Sequence, residues 1–145
     1  MIYREHRPGA ALARLVECVW FLRDDGGAKR ASERVYPDGC VELIVQIGDR
    51  FRRATPDGHW ELQPASFLVG EMTRPLEIAP VGRIATMGIR FRPGGARAII
   101  DSRLDELTDR SAALDELFGR EGSRLEDGLR CATSDAAIRI LARVI

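Results

Sequence analysis

The sequence predicts an α+β domain in which a small antiparallel β-barrel or sandwich, residues 1–95, precedes a helical segment, residues 96–145. Short strand-like runs, separated by turns rich in Gly and Pro, fill the first part, as in small all-β domains. After Pro93-Gly94-Gly95 the apolar residues recur with the period of a helix. A chain of 145 residues buries about two thirds of its unfolded surface, which is enough for one domain.

The strand candidates are short runs rich in β-branched, aromatic and aliphatic residues, and most of them end at a turn signal. They cover residues 17–23, 40–47, 51–54, 59–62, 66–70, 74–79 and 83–92. The third and fourth runs flank Pro56-Asp57-Gly58, so they are expected to form a hairpin.

The helical segment divides into short helices. Residues 96–100 form the first candidate, and an apolar triplet at helical spacing, Leu114, Leu117 and Phe118, stands ahead of Gly119, a suitable residue for ending a helix. Ser123 and Glu126 have the spacing of a capping box, which predicts that the next helix begins at Ser123.

The last helix is expected to be capped by Thr133 or Ser134 and to carry one apolar stripe. The stripe consists of Ile138, Leu141, Val144 and Ile145. It would either form a dimer contact or pack against the barrel of its own chain. The sequence stops inside this stripe, which fits both a natural terminus and a cut at a domain border.

Composition narrows the classes of function. Lys+Arg and Asp+Glu number 22 each, so the net charge is zero, whereas a domain that binds DNA phosphates by itself is usually basic. No apolar run approaches the ~20 residues of a membrane span, and the N-terminus has no signal-peptide core. The three widely spaced cysteines, Cys18, Cys40 and Cys131, fit neither a disulfide framework nor a zinc site. We therefore expect a cytoplasmic protein without a membrane partner.

Enzymatic chemistry finds little support in the sequence. A catalytic metal site on a small barrel needs two or three histidines and a carboxylate, but the chain contains only His6 and His59. A Gly-x-Ser-x-Gly nucleophile motif is also absent. We expect neither a metal nor another cofactor, and no catalytic activity.

The run 40–47 has two faces of different character. Val41, Leu43, Val45 and Ile47 make one face wholly apolar, so it is expected to be core. Cys40, Glu42, Ile44 and Gln46 make the other face mixed. A mixed face is typical of a ligand cavity, and the alternative is that Glu42 and Gln46 are exposed on a sheet edge.

Five residues are candidates for binding a ligand: Trp20, Tyr36, Cys40, Glu42 and Arg90. Trp20 would floor a pocket, although core packing is commoner for Trp. Arg90, between Ile89 and Phe91, would be solvated, paired with a carboxylate such as Glu42, or bound to an anionic ligand. A void of several hundred cubic ångströms between Trp20, Cys40 and Glu42 would favour ligand sensing, and a packed interior would favour a scaffold.

Several segments, in this order along the chain, resemble the N-terminal domain of a subset of AraC-type transcriptional regulators. They are IYREHRP (2–8), ECVWF (17–21), VYPDGCVELI (35–44), SFLVGEMTRPL (66–76), GIRFRPGG (88–95), LTDR (107–110) and LDELFG (114–119). The resemblance covers nearly the whole chain. Its most specific parts are the segments around Pro37-Asp38-Gly39 and Pro93-Gly94-Gly95.

The resemblance implies a regulatory role. A cupin-like barrel would sense a small-molecule effector, helices would mediate homodimerisation, and a C-terminal domain with two helix-turn-helix units, absent here, would bind DNA. The sugar-binding residues of arabinose-type sensors find no matching motif in this sequence. Two alternatives stay open: a metal-independent barrel enzyme using Glu42 as acid/base, and a ligand-free interaction module.

Overall fold

The computed structural model describes residues 1–25, 31–100 and 104–144. In these ranges the chain forms ten strands, two short 3₁₀ helices and three α-helices. The strands are β1 Ile2–His6, β2 Val16–Asp24, β3 Glu33–Val35, β4 Glu42–Gln46, β5 Phe51–Ala54, β6 Trp60–Leu62, β7 Ser66–Val69, β8 Leu76–Pro80, β9 Ile84–Phe91 and β10 Ser111–Ala113. The 3₁₀ helices are Gly95–Ala98 and Asp105–Leu107, and the α-helices are α1 Leu114–Phe118, α2 Arg120–Arg130 and α3 Ser134–Val144.

The strands pair into two antiparallel sheets. The first sheet has the order β1-β2-β9-β4-β7-β10, and the second has the order β3-β8-β5-β6. The predicted hairpin is present, since β5 pairs with β6 across the Pro56-Asp57-Gly58 turn, where Gly58 has a φ of 88°. The predicted α+β class, a small β-sandwich followed by a helical segment, is therefore confirmed.

The main hydrophobic core lies between the six-stranded sheet and the helices. Leu43 and Met87 on the sheet and Leu129 and Leu141 on the helices have no exposed surface. The apolar face predicted for residues 41–47 is part of this core, because Val41, Leu43 and Val45 are all buried. One core thus joins the predicted β-rich and helical parts of the chain.

Two predictions about residues 96–145 are wrong. Strand β10 lies in the segment predicted to be helical, where it extends the edge of the first sheet by pairing with β7. Three-residue edge strands carry too few residues to show an alternating pattern. The capping box is also wrong, because Gly119, with a φ of 59°, both ends α1 and precedes α2. Ser123 therefore lies inside α2, where its N–H donates to the carbonyl of Gly119.

The stripe of the last helix packs on its own chain. Thr133 caps α3, since its Oγ1 accepts a bond from the N–H of Ala136 at 3.3 Å. Leu141 is fully buried and Ile138 packs against the main core, whereas Val144 is exposed. Ile145 lies outside the described residues. Leu141 is therefore buried by packing within its own chain. In the described part of the stripe, Val144 is the exposed residue that the predicted dimer contact could use.

The longest helices of the described ranges, α2 and α3, have 11 residues each. None of the described helices has the length and apolar character needed to cross a bilayer.

Candidate functional site

The inner face of the six-stranded sheet carries the polar residues of the sandwich. Because side chains alternate along a strand, the residues that oppose each other across β2, β9, β4 and β7 form rows on one face. Cys18, Arg90, Glu42 and Val69 form one such row. Trp20, Gly88, Ile44 and Phe67 form the next.

The indole ring of Trp20 lies over Gly88 of β9 on this face. A Cβ at Gly88, its partner in β9, would overlap the indole ring, so the missing side chain of Gly88 makes room for the tryptophan. The indole Nε1 donates to Glu42 Oε1 at 3.2 Å. The glycine and the glutamate together fix the orientation of Trp20.

Arg90 is surrounded by carboxylates. Its Nε donates to Glu42 Oε1 at 2.8 Å, and its Nη1 lies 3.4 Å from Glu5 Oε1 and 3.7 Å from Glu17 Oε2. Of the three alternatives that the sequence left for Arg90, pairing with Glu42 is the one observed. The Arg90 charge is thus already matched by carboxylates of the same chain.

The environment shifts the pKa values of this cluster. Burial raises the pKa of Glu42, and the hydrogen bond and charge of Arg90 offset part of that rise. Burial alone would lower the pKa of Arg90, but its hydrogen bond to Glu42 and the carboxylate charge raise it overall. Burial and a 2.7 Å hydrogen bond to Glu5 raise the pKa of Tyr3 to about 12. The same bond lowers the pKa of Glu5.

The two remaining ligand candidates lie in the connection between β3 and β4, Tyr36 directly after β3 and Cys40 two residues before β4. Cys40 is half-buried, and its backbone N–H donates to Asp38 Oδ1 at 2.9 Å. Burial raises the pKa of its thiol, as it does for Cys18, so both cysteines favour the unreactive protonated form. Tyr36 is 65% exposed. The structure therefore brings Trp20, Glu42 and Arg90 into direct contact and leaves Tyr36 outside that network.

Gln46, on the same face of β4, is held inside the sandwich. Its Nε2 donates to Pro64 O at 3.1 Å, and its Oε1 accepts from the N–H of Phe51 at 2.6 Å. Gln46 is 1% exposed, and β4 lies between β9 and β7. The alternative that Glu42 and Gln46 sit on an exposed sheet edge is therefore wrong.

A cavity of about 630 Å³ lies between the two sheets, beside the row that contains Val69. Its apolar lining residues include Phe67, Val69, Met72 and Leu76, and its charged ones are Arg34, Arg53, Arg74, Glu77, Asp109 and Arg110. None of the five predicted ligand residues lines it. At the expected position Trp20 and Glu42 are in direct contact, and the cavity lies one strand further along the sheet, beside β7.

The sequence contained a signal for this cavity that the prediction did not use. The segment 66–76 contributes six of the lining residues. Phe67 and Val69 alternate with Ser66 and Leu68 in β7, so they share the inner face with Glu42 and Ile44. What could not be read was that β7 pairs with β4, because strand order depends on contacts distant in sequence.

The described parts of the chain contain no group of three or more His, Cys, Asp or Glu side chains that could hold a metal ion. In the Trp20–Glu42–Arg90 cluster, Glu42 Oε1 accepts hydrogen bonds from both the indole and the guanidinium group.

Comparison with known proteins gives a family match. Residues 4–113 match a family described as "Domain of unknown function (DUF6597)". No curated protein matches the sequence. The chain is similar to two solved structures, cobalt(II) HppE in complex with Tris buffer and iron(II) HppE, with 15% and 16% identity and TM-scores of 0.43 and 0.42. The similarity covers 62% and 61% of this chain and 52% and 48% of those chains. This chain thus spans about half the length of either protein, and the fold assignment stands on its own sheet topology.

Proposed function

This chain belongs to the DUF6597 family, and from that premise we propose that it is the effector-sensing and dimerisation domain of an AraC-type bacterial transcription factor. The observation that carries the proposal is the cavity of about 630 Å³ between the sheets. Small-molecule sites are commonly cavities of roughly 300–1,000 Å³ with an apolar lining and a few polar groups. The order of the segments that resemble AraC-type regulators, which run from residue 2 to residue 119, supplies the regulatory context.

The contact between β7 and α2 offers a route from the cavity to the helices. Phe67 and Val69 of β7 line the cavity, while Ser66 points to the opposite face. The hydroxyl of Ser66 donates to Glu126 Oε2 of α2 at 2.6 Å, and Arg130 binds the other oxygen of Glu126 at 3.1 Å. A ligand that binds one arrangement of β7 more tightly than another would shift the population of α2 positions.

The proposed domain has no catalytic activity. The alternative of an acid/base enzyme would require Glu42 to exchange a proton with a substrate. Its Oε1 already accepts bonds from Trp20 and Arg90, and its side chain is 20% exposed. This arrangement supports an ion pair that holds the sheet together.

The proposed partners are a small-molecule effector, a second copy of this chain and, through a separate domain, DNA. A net charge of zero gives the 145 residues no general attraction for phosphates, so DNA contact is assigned elsewhere. The proposed location is the cytoplasm of a bacterium, where such a regulator works.

A reporter assay tests the dimerisation part. Residues 1–145 are fused to a DNA-binding domain that represses its operator only as a dimer. We expect repression by the fusion and none by the unfused DNA-binding domain. A fusion that accumulates in the cell at the same level and does not repress would refute dimerisation.

Two further observations test the regulatory assignment. The reading frame that encodes these residues should also encode two helix-turn-helix units after them, and a frame without such units would end the assignment. The purified 145 residues should not retard duplex DNA at moderate salt. Tight, salt-sensitive binding would instead place the DNA contact within this domain.

A further inference from the structure

The cavity between the sheets has an unmatched positive charge, and from it we infer that the effector is a small organic anion with an apolar body and one carboxylate or phosphate group. The inference rests on the proposed function, because it names the ligand class of the same site. Four arginines and two acidic residues line the cavity: Arg34, Arg53, Arg74, Arg110, Glu77 and Asp109.

Three of the four arginines have no ion-pair partner among the residues that the structure describes. Arg53 is matched by Glu61, whose Oε1 accepts its Nε–H at 2.6 Å. Within the described ranges, no carboxylate lies within 4.0 Å of the guanidinium groups of Arg34, Arg74 or Arg110. Positive charge in the cavity is therefore available to a ligand.

Both acidic lining residues are engaged by neutral donors. Asp109 accepts a 2.7 Å bond from the backbone N–H of Thr73 and a second bond from the Thr73 hydroxyl. Glu77 stands opposite Arg34 in the β3–β8 pair, yet its carboxylate accepts the hydroxyl of Ser32. Arg74 lies near enough to Asp109 to lower its pKa, so the charge of Arg74 is partly compensated.

Arg90, on the same sheet, differs from these cavity arginines because its partners belong to the chain. There, three carboxylates within 4 Å of one guanidinium satisfy the arginine within the chain. Unpaired guanidinium groups around a concave site attract carboxylates and phosphates, for which the planar, five-donor group is well shaped. In the cavity, the carboxylate or phosphate of a ligand would take the role that Glu5, Glu17 and Glu42 have at Arg90.

The opposite wall sets the character of the rest of the ligand. Phe67, Val69, Met72 and Leu76 give the cavity an apolar side, on which the half-buried Val69, Met72 and Leu76 carry the surface that water still reaches. An aromatic or branched aliphatic body would remove this surface from water, while the acidic group reached the arginines. A neutral sugar would leave the apolar wall wet, and an organic cation would meet unmatched arginines.

Four probes of similar size test the inference on the purified 145-residue chain. They are phenylacetate, phenyl phosphate, phenethyl alcohol and phenethylamine, titrated at low ionic strength and followed by protein-observed NMR. We expect at least one anion to bind with a Kd of about 1 mM, roughly fivefold or more below that of the alcohol, and the amine to bind most weakly. The tighter of the two anions identifies the acidic group. Added salt should weaken anion binding and leave the alcohol unchanged.

Paired variants locate the effect. Arg34→Gln combined with Arg110→Gln should reduce the anion affinity to that of the alcohol, because both residues line the cavity and are exposed, so that their replacement spares the core. The matched control is Arg139→Gln on the exposed side of α3, which should leave all affinities unchanged. Circular dichroism of each variant establishes that it is folded.

Several results would overturn the inference. They are equal affinities for anion and alcohol, no binding of any probe at about 10 mM, and anion binding that survives the double variant. None of these bears on repression by the fusion protein. Failed repression with intact anion binding would instead refute dimerisation and leave the ligand class standing.

Discussion

The two faces of the six-stranded sheet are built from the same strands but differ in packing and polarity. On the face toward the helices, Leu43, Met87 and Ile89 are completely buried in one apolar core. On the face toward the second sheet, Glu42 and Arg90 form a half-buried ion pair, and a cavity lies beside them. Adjacent residues of β4 and β9 thus belong to opposite environments.

The difference shows how a small domain can combine stability with a ligand site. Close packing on one face supplies most of the hydrophobic free energy of folding, so the other face can hold polar groups and empty space. Substitutions on the two faces should therefore differ in cost, and the following experiments measure that difference.

The largest effect is expected from Leu43→Ala. Leu43 is fully buried in the core between sheet and helices, so the substitution should lower the free energy of unfolding by about 3 kcal/mol. Urea denaturation measures the change. Ile44→Ala, on the half-buried inner face, is the matched control and should cost clearly less. Equal losses would mean that the two faces are equally packed.

Gly88→Ala should have the second largest effect and lower the free energy of unfolding by about 2 kcal/mol. The added methyl group would overlap the Trp20 indole, which must then leave its position and its bond to Glu42. Near-ultraviolet circular dichroism of the tryptophans should change along with stability. Gly9→Ala is the control, because a Cβ there meets nothing within 4 Å. An unchanged tryptophan signal in the Gly88 variant would contradict the described packing.

Glu42→Gln should lower the free energy of unfolding by about 1 kcal/mol. The amide oxygen can still accept from Arg90 and Trp20, so the loss is confined to the charge of a pair that is about a fifth exposed. Thermal unfolding measures it, with Glu5→Gln, a more exposed partner of the same arginine, as the control with a smaller effect. If both variants lose the same stability, Glu42 is not the principal partner of Arg90.

The smallest effect concerns pH. The bonds from Thr73 and the charge of Arg74 lower the pKa of Asp109 below its ordinary value of 3.8. A carboxylate with a lowered pKa in the folded state contributes stability above its unfolded-state pKa and loses it as the pH falls through the folded-state value. The stability difference between the native chain and Asp109→Asn should thus be constant near neutral pH and shrink to a residual value at strongly acidic pH. A difference that grows on acidification would reverse the sign of the shift.

Local patterns predicted much of the fold. The alternation in residues 41–47 identified the core face, Pro56-Asp57-Gly58 identified a hairpin, and Gly119 identified a helix end. Strand β1 was not predicted, because all five of its residues are exposed and show no apolar alternation. The helix start predicted at Ser123 was wrong, because α2 begins at Arg120, directly after Gly119.

The candidate site was predicted in part. The Glu42–Arg90 pair was among the alternatives that the sequence left open, and the structure also brings Trp20 into contact with Glu42. Their roles as ligand residues stay a prediction. The cavity was missed at its actual position, although Phe67 and Val69 had the right alternation, because it is assembled from strands of both sheets.

The sequence by itself predicted the strands and helices that carry an apolar period or a turn signal, and which side of β4 is apolar, since these depend on neighbours within a few positions. Tertiary structure decided that β4 stands between β9 and β7, that Leu141 faces its own sheet, and where space is left between the sheets. These features arise from packing between segments far apart in the chain. The volume that remains after such packing depends on the whole set of side chains together.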